Sequence, residues 1–220
     1  LHGAAETTPE QATAVPSDPT PTKQATEKKA YGAASKYAAL AYGVYDINFT
    51  GTAHYSKVGI TVVDKNTGLQ FAVFESKTTD HTVVSFAGTN DLKDWIANVR
   101  QAFGLESAQY TQAINVGKRE YRRTGGAIHF TGHSLGGGLA IAGAITTGAE
   151  ATVFNAAGVH PNTVGGRSPD LGTINHYHSS GDVLQVINLL TPARMYGEQI
   201  SLGLAGWHAM GPVCQAMACN

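Results

Sequence analysis

The sequence predicts an α/β domain, a predominantly parallel sheet covered by helices and bordered by an antiparallel edge. Three observations predict it: β-rich runs cluster early in the chain, strand, turn and helix alternate after them, and a glycine-rich turn sits where a strand gives way to a helix. Leu1 to about Lys23 is built from Thr, Pro, Ala and Glu, with too few large apolar residues to offset its ordering entropy, and is read as a disordered tail or linker. Residues 24–220 are read as a single domain. From Gln24 to Asp46, Tyr31, Ala34, Tyr37, Ala38, Ala41 and Tyr45 fall near one helical face, which predicts an amphipathic helix leading into that domain. Val58 to Asp64, Leu69 to Glu75 and His81 to Phe86 are short β-rich runs, and Lys65-Asn66-Thr67-Gly68 carries hairpin-turn chemistry between the first two. The pattern is then helical from Asp91 through Phe103 and again from Ala108 to Arg123. A strand follows over Ala127 to Thr131, then a helix over Ser134 to Thr147, and strands over Ala151 to Asn155 and Thr173 to Ser179.

Composition narrows the function classes. A chain of 220 residues with 42% hydrophobic residues has enough apolar material for one full core. Its 15 Lys and Arg nearly cancel its 16 Asp and Glu, so no global field gathers a polyanion, and a nucleic-acid partner is not expected. No Cys-x-x-Cys pair, His-Glu-x-x-His arrangement or Asp-rich loop occurs, so chemistry without metal or cofactor is expected. The longest uncharged stretches, Phe130 to Ala149 and Ser201 to Asn220, are broken by His and Gly and lack the apolar density of a membrane span. Cys214 and Cys219 form either a local disulfide, which implies an oxidising compartment, or two free thiols. On a regular helix they would lie about 7.5 Å apart along the axis, so a bridge requires the chain to leave the helix between them. The sequence starts at Leu1 and is read as a processed or trimmed chain.

Gly132-His133-Ser134-Leu135-Gly136 fits G-x-S-x-G and falls between a predicted strand and a predicted helix, where that motif makes a nucleophile elbow. The Leu135 N–H then lies at a helix start, unsatisfied and favourable to negative charge, and supplies half of an oxyanion hole. The other half is expected from the loop Phe86-Ala87-Gly88-Thr89-Asn90 after an earlier strand, with Thr89 as donor; a turn in which Thr89 caps the next helix is compatible with this.

A serine hydroxyl needs a general base oriented by a buried carboxylate, and in the α/β-hydrolase arrangement the chain order is Ser, acid, His. Of Glu150, Asp170, Asp182 and Glu198, only Asp182 directly follows a predicted strand, and His208 is then the one histidine left as base. His129, His133, His160, His176 and His178 read as packed or surface residues. His133 adjoins Ser134, but its side chain is expected to leave the turn in another direction. A serine hydrolase with Ser134, Asp182 and His208 as catalytic residues follows.

These residues resemble those of the class 3 lipases. The resemblance runs from about Tyr37 to Met210 and rests on V-V-S-F-A-G-T-N-D-L-K-D-W from Val83 to Trp95, T-G-H-S-L-G-G-G-L-A from Thr131 to Ala140, Gly181-Asp182-Val183 and His208. It implies an α/β-hydrolase fold, hydrolysis of carboxylic esters of lipids through an acyl-enzyme, Thr89 and Leu135 in the oxyanion hole, and no cofactor. Ala87 stands where the family usually has arginine, Asn155-Ala156-Ala157-Gly158 replaces its Gly-x-Pro-Arg segment, and the interval from Asp182 to His208 is short. The Asn155 segment is more similar to bacterial relatives, among them phospholipases delivered as antibacterial effectors.

Three functional readings remain. The first is a lipase or esterase whose acyl groove is lined by Leu189, Leu190 and Trp207, within the apolar set Ile187 to Leu190, Ile200, Leu202, Leu204 and Met210, with Phe103, Leu105 and Tyr110 as a small mobile cover. The second is a phospholipase A, in which Lys118, Arg119, Arg122 and Arg123 hold phosphate headgroups; the same cations also complement a helix C-terminus. The third is a catalytically dead fold used for binding, against which the complete Ser134, Asp182 and His208 set argues. Expected partners are a lipid or acyl-ester substrate and transient contact with a membrane or lipid surface. An immunity or chaperone protein stays open, and the expected localisation is secreted or periplasmic.

Overall fold

The computed structural model describes residues 23–89, 92–170, 173–182, 184, 192–205 and 208–219. Among them, seven strands line up in chain order: β1 (Tyr55–Val63), β2 (Gln70–Ser76), β3 (Thr82–Phe86), β4 (Ile128–His133), β5 (Glu150–Phe154), β6 (Ile174–Ser180) and β7 (Glu198–Ala205). The pairs β1–β2 and β2–β3 are antiparallel, and every pair from β3 to β7 is parallel, with Val84 opposite Phe130 and Phe130 opposite Ala151. This is the expected parallel sheet with an antiparallel edge, and the fold is that of the α/β-hydrolases.

Alternation along the strands sorts the two faces. Val84, Phe86, Ile128, Phe130, Ala151, Val153 and Ile174 bury one face under α2 (Leu92–Arg123) and α3 (Leu135–Thr147). The other face carries Val83, Phe154 and Tyr177 and is covered by α1 (Lys23–Gly43) and α4 (Met210–Ala216). That second face also holds polar residues whose hydroxyls are satisfied: Ser85 Oγ donates to the Leu40 carbonyl of α1 at 3.0 Å, and Thr131 Oγ1 to the Thr152 carbonyl of β5 at 2.7 Å, with the Tyr37 carbonyl of α1 at 3.4 Å. Buried hydroxyls are thus kept satisfied while α1 is fixed against the strands that lead to Ser134.

The structure corrects the sequence at two places and decides between the alternatives at a third. One helix, α2, runs through the break expected between Phe103 and Ala108, and Tyr110 is buried in the core rather than free to form a cover. A single glycine costs a helix interior only about 1 kcal/mol, so Gly104 does not interrupt α2. Strand β7 was not expected, although Ile200, Leu202 and Leu204 alternate as a strand requires. Cys214 and Cys219 are bridged with Cα atoms 5.1 Å apart, because α4 ends at Ala216 and Ala218 takes a φ of 49°.

Three histidines pack neutral into this fold. His129 stacks on Tyr37 with ring centroids 3.9 Å apart, and burial, aided by the nearby His81 and Lys36 charges, pulls its pKa down to about 3. The Glu150 carboxylate, 3.5 Å from His129 Nδ1, has its side chain 71% exposed and is too screened to reverse this. His176 Nε2 accepts from the Ala156 N–H at 3.0 Å, and burial lowers its pKa to about 3 as well. His133, at the end of β4, is lowered to about 4, again chiefly by burial. All three sit below the unfolded value of about 6.5, so between the two values the unfolded chain holds protons that the fold refuses. Stability is full above pH 6.5 and falls as pH drops below it, with a slope approaching roughly 4 kcal/mol per pH unit by pH 5 for three groups. Urea midpoints at pH 7 and pH 5 measure this; equal stabilities at the two pH values would contradict neutral burial, and His129→Gln flattens the slope by one proton's worth.

Candidate active site

The elbow is built by a backbone that only close packing makes possible. Ser134, between β4 and α3, takes φ 58° and ψ −130°, a region that costs a non-glycine residue about 1–3 kcal/mol. The strain is held from several directions. The Ser134 N–H donates to the Phe154 carbonyl at 3.2 Å, and the Ser134 carbonyl accepts from Gly137 at 3.0 Å, Gly138 at 3.3 Å and Ala157 at 2.9 Å. A Cβ on Gly136 would overlap the Phe86 carbonyl, and one on Gly132 the Gly136 carbonyl, so α3 can close onto β3 and β4 only with glycine at both.

Leu135 is the first residue of α3, where an N–H has no intrahelical partner. Thr89 lies in the loop after β3, and the loop touches the elbow: a Cβ on Gly88 would stand 2.8 Å from the His133 carbonyl oxygen and 3.0 Å from Ser134 Cβ. The two expected oxyanion donors therefore come from segments in direct contact.

Asp182 sits just past β6, after Gly181 at φ 77°, with only 1% of its surface exposed. One carboxylate oxygen accepts the Leu184 N–H at 2.6 Å and the other accepts His208 Nδ1–H at 2.7 Å. This bond fixes the tautomer of His208: Nδ1 carries the proton, and Nε2 is a bare lone pair. Nε2 is buried and has no hydrogen-bond partner among the described residues, so its lone pair is available to accept a proton. Ser134, Asp182 and His208 all stand at the carboxyl ends of strands or just beyond them, the end where this fold class gathers its chemistry.

Other expectations fare differently. Leu189, Leu190 and Trp207 lie outside the described residues. Leu202 and Met210, from the same apolar set, are core residues packed beneath α1. Arg119 and Arg123 both pair with Glu120, at 2.9 and 2.6 Å, and Arg123 also with Glu75 at 3.0 Å. Arg122 and Arg123 end α2 close to the start of β4, whose six residues span roughly 20 Å from Ser134, so both complement the helix end, and Arg123 its ion pairs as well. Glu150 opens β5 at the opposite end of the sheet from Ser134, as its position before the strand indicated. His133 is a packed histidine, 6% exposed, but its packing reaches the site: its Nε2 lies 2.6 Å from the His208 carbonyl oxygen and the two rings are 4.8 Å apart. Tyr45 and Asn155, which the sequence did not single out as site residues, contact the same group. Among the described residues no cluster of three or more His, Cys, Asp or Glu is arranged to hold a metal ion, and no helix is long and apolar enough to cross a membrane.

With this geometry in place, comparison with known proteins identifies the family. A family model described as Phospholipase-like, Tle-like phospholipase domain, matches residues 29–215. The chain belongs to that family. The Tle-like domain is 38% identical over 138 residues to a protein of Serratia liquefaciens described as extracellular phospholipase A1; the match takes in 58% of this chain and 43% of that relative, so it spans less than half the relative's length. Among solved structures, a triacylglycerol lipase from Penicillium expansum superposes with a TM-score of 0.61 at 15% identity, over 79% of this chain and 80% of that one. The Lip2 lipase of Yarrowia lipolytica gives 0.59 at 13%, over 79% of each chain. At such identities these two speak for the fold of the Tle-like domain alone.

Gly88 offers a direct test of the contact between loop and elbow. Its added Cβ would meet Tyr45 Oη at 2.7 Å as well as His133 and Ser134, so Gly88→Ala forces the loop away from the elbow. Steady-state kinetics should show kcat lowered roughly 10²-fold with the thermal midpoint nearly kept, the scale of a 1 Å misplacement. An unchanged kcat would mean that the loop takes no part in the transition state.

Proposed function

We propose that the chain hydrolyses carboxylic esters of lipids by serine catalysis, with acyl esters of phospholipids as its substrate class. The observation that carries this reading is the free, buried Nε2 of His208, whose Nδ1–H is held by a buried Asp182 in a fold that strains Ser134 into an elbow. In the reaction, Ser134 Oγ attacks the ester carbonyl carbon as its proton passes to His208 Nε2. The carbonyl oxygen becomes an oxyanion facing the Leu135 N–H and Thr89, and the positive imidazolium is stabilised by Asp182. The tetrahedral species collapses, His208 gives its proton to the departing alcohol oxygen, and an acyl-Ser134 remains. Water then adds by the same route, its proton passing through His208, and releases the fatty acid with Ser134 restored.

Family membership and the description of the Serratia relative support phospholipids over triacylglycerols. Secretion into an oxidising compartment goes with this reading, since Cys214 and Cys219 are bridged and that relative is described as extracellular. Contact with a lipid surface is then transient and made by the catalytic face.

Lipid analysis after incubation with phospholipid vesicles and with emulsified triacylglycerol tests the reading. Wild type should convert phospholipid to lysophospholipid and free fatty acid in equal amounts, and Ser134→Ala should lower turnover by roughly six orders of magnitude. Consumption of triacylglycerol alone would overturn the substrate class; retained activity in Ser134→Ala would overturn the nucleophile.

A further inference from the structure

His208 stands on a connection rather than on a strand: β7 ends at Ala205 and α4 begins at Met210. Its bond to Asp182 fixes the ring at one atom and leaves the backbone that carries the ring to be held by something else. The His208 carbonyl oxygen is where that hold occurs. It accepts from His133 Nε2 at 2.6 Å and from Asn155 Nδ2 at 3.1 Å, two side chains from the ends of β4 and β5. A carbonyl can only accept, so the proton on His133 is on Nε2 and Nδ1 is bare. Nδ1 in turn accepts a hydrogen bond from the Tyr45 O–H at 3.1 Å, while the Tyr45 oxygen accepts the Gly88 N–H at 2.9 Å. Every direction in this chain of bonds is fixed by its two ends, an amide N–H in the loop that carries Thr89 and the carbonyl of His208. Burial keeps the chain in one protonation state, holding His133 neutral down to about 4 and pushing Tyr45 up to about 12.

Asn155 adds the acid to the same frame. Its Oδ1 accepts the Ser179 N–H at 2.8 Å, three residues before Asp182, while its Nδ2 reaches both Ser179 Oγ at 3.4 Å and the His208 carbonyl. It does so from φ 42°, a left-handed backbone that Asn tolerates better than most residues. One side chain therefore references the segment of the acid and the backbone of the base to each other.

We propose that His133 and Asn155 are positioning residues for the ester hydrolysis, fixing the base His208 through its main-chain carbonyl and, by way of Tyr45 and Gly88, tying it to the oxyanion loop. The proposal rests on the triad reading above. Held this way, the lone pair of His208 Nε2 has a defined place before any substrate arrives, and loss of the hold costs turnover rather than substrate affinity.

The test uses the full chain with a soluble short-chain ester and compares His133→Phe, His133→Gln and Asn155→Asp with wild type and Ser134→Ala. His133→Phe removes the donor and should lower kcat roughly 10²-fold with KM little changed. His133→Gln restores an N–H donor at similar reach and should recover most of that loss. Asn155→Asp keeps the left-handed backbone and the acceptor for Ser179 but has no donor for His208, and should lower kcat on the same pattern; it carries the test by itself if His133→Phe does not fold. Full kcat in both donor-less variants, a change confined to KM, or a His133→Gln variant as impaired as His133→Phe would overturn the positioning role. Activity persisting in Ser134→Ala would instead overturn the triad reading, so the two failures are told apart.

Discussion

The turn at Ser134 is the constraint on which the remaining geometry depends. A serine held at φ 58° is unfavourable in isolation and persists because β4 and α3 meet at such short range that no other path connects them. The glycines at 132 and 136 permit the approach, and three N–H groups converging on the Ser134 carbonyl, one of them from Ala157 beyond β5, leave it no room to relax. The helix this creates, Leu-Gly-Gly-Gly-Leu-Ala at its start, is poor by propensity. Burial of most of its length against β3, β4 and β5 is what keeps it helical.

From that turn the other parts of the site follow by adjacency in the sheet. Strands β3, β4, β5 and β6 are sequential neighbours, so the segments that leave their carboxyl ends stand side by side: the Thr89 loop, the elbow, the Asn155 turn and the Asp182 turn. Each is bonded to the next through groups that have one donor and one acceptor role available, and burial excludes the water that would otherwise compete. Burial keeps His133 neutral and Tyr45 protonated here. Among the described residues of the site, His208 Nε2 is buried without a hydrogen-bond partner.

The order of elements was legible because strand, turn and helix alternate with clean period changes, and because G-x-S-x-G marks one junction by chemistry as well as by pattern. Asp182 and His208 were reachable by chain order, since after Ser134 few acids follow a strand and one histidine follows the acid; the structure brings those two into contact. What was not legible depended on distance in space. His133 looked spare because its partner, the His208 carbonyl, is a main-chain atom 75 residues away that no side-chain pattern announces. Asn155 registered as a departure from a family segment, and only the fold reveals that the departure supplies a donor. The single helix α2 defeated a local reading: the pattern was split between Phe103 and Ala108, yet one helix runs through and buries Tyr110, Ala113 and Val116. Strand β7 was missed for the opposite reason, its alternating Ile200, Leu202 and Leu204 having been taken together with residues of a ligand groove.

A phosphonate that forms a covalent adduct with an activated serine addresses the central claim most directly, because it needs an assembled nucleophile, base and oxyanion site but no particular lipid. Peptide mapping of the full chain after reaction with a fluorophosphonate should find one adduct per molecule, on Ser134, formed quickly in wild type and very slowly in His208→Ala of equal thermal stability. An adduct on a different serine, or a folded chain that does not react, would contradict the account.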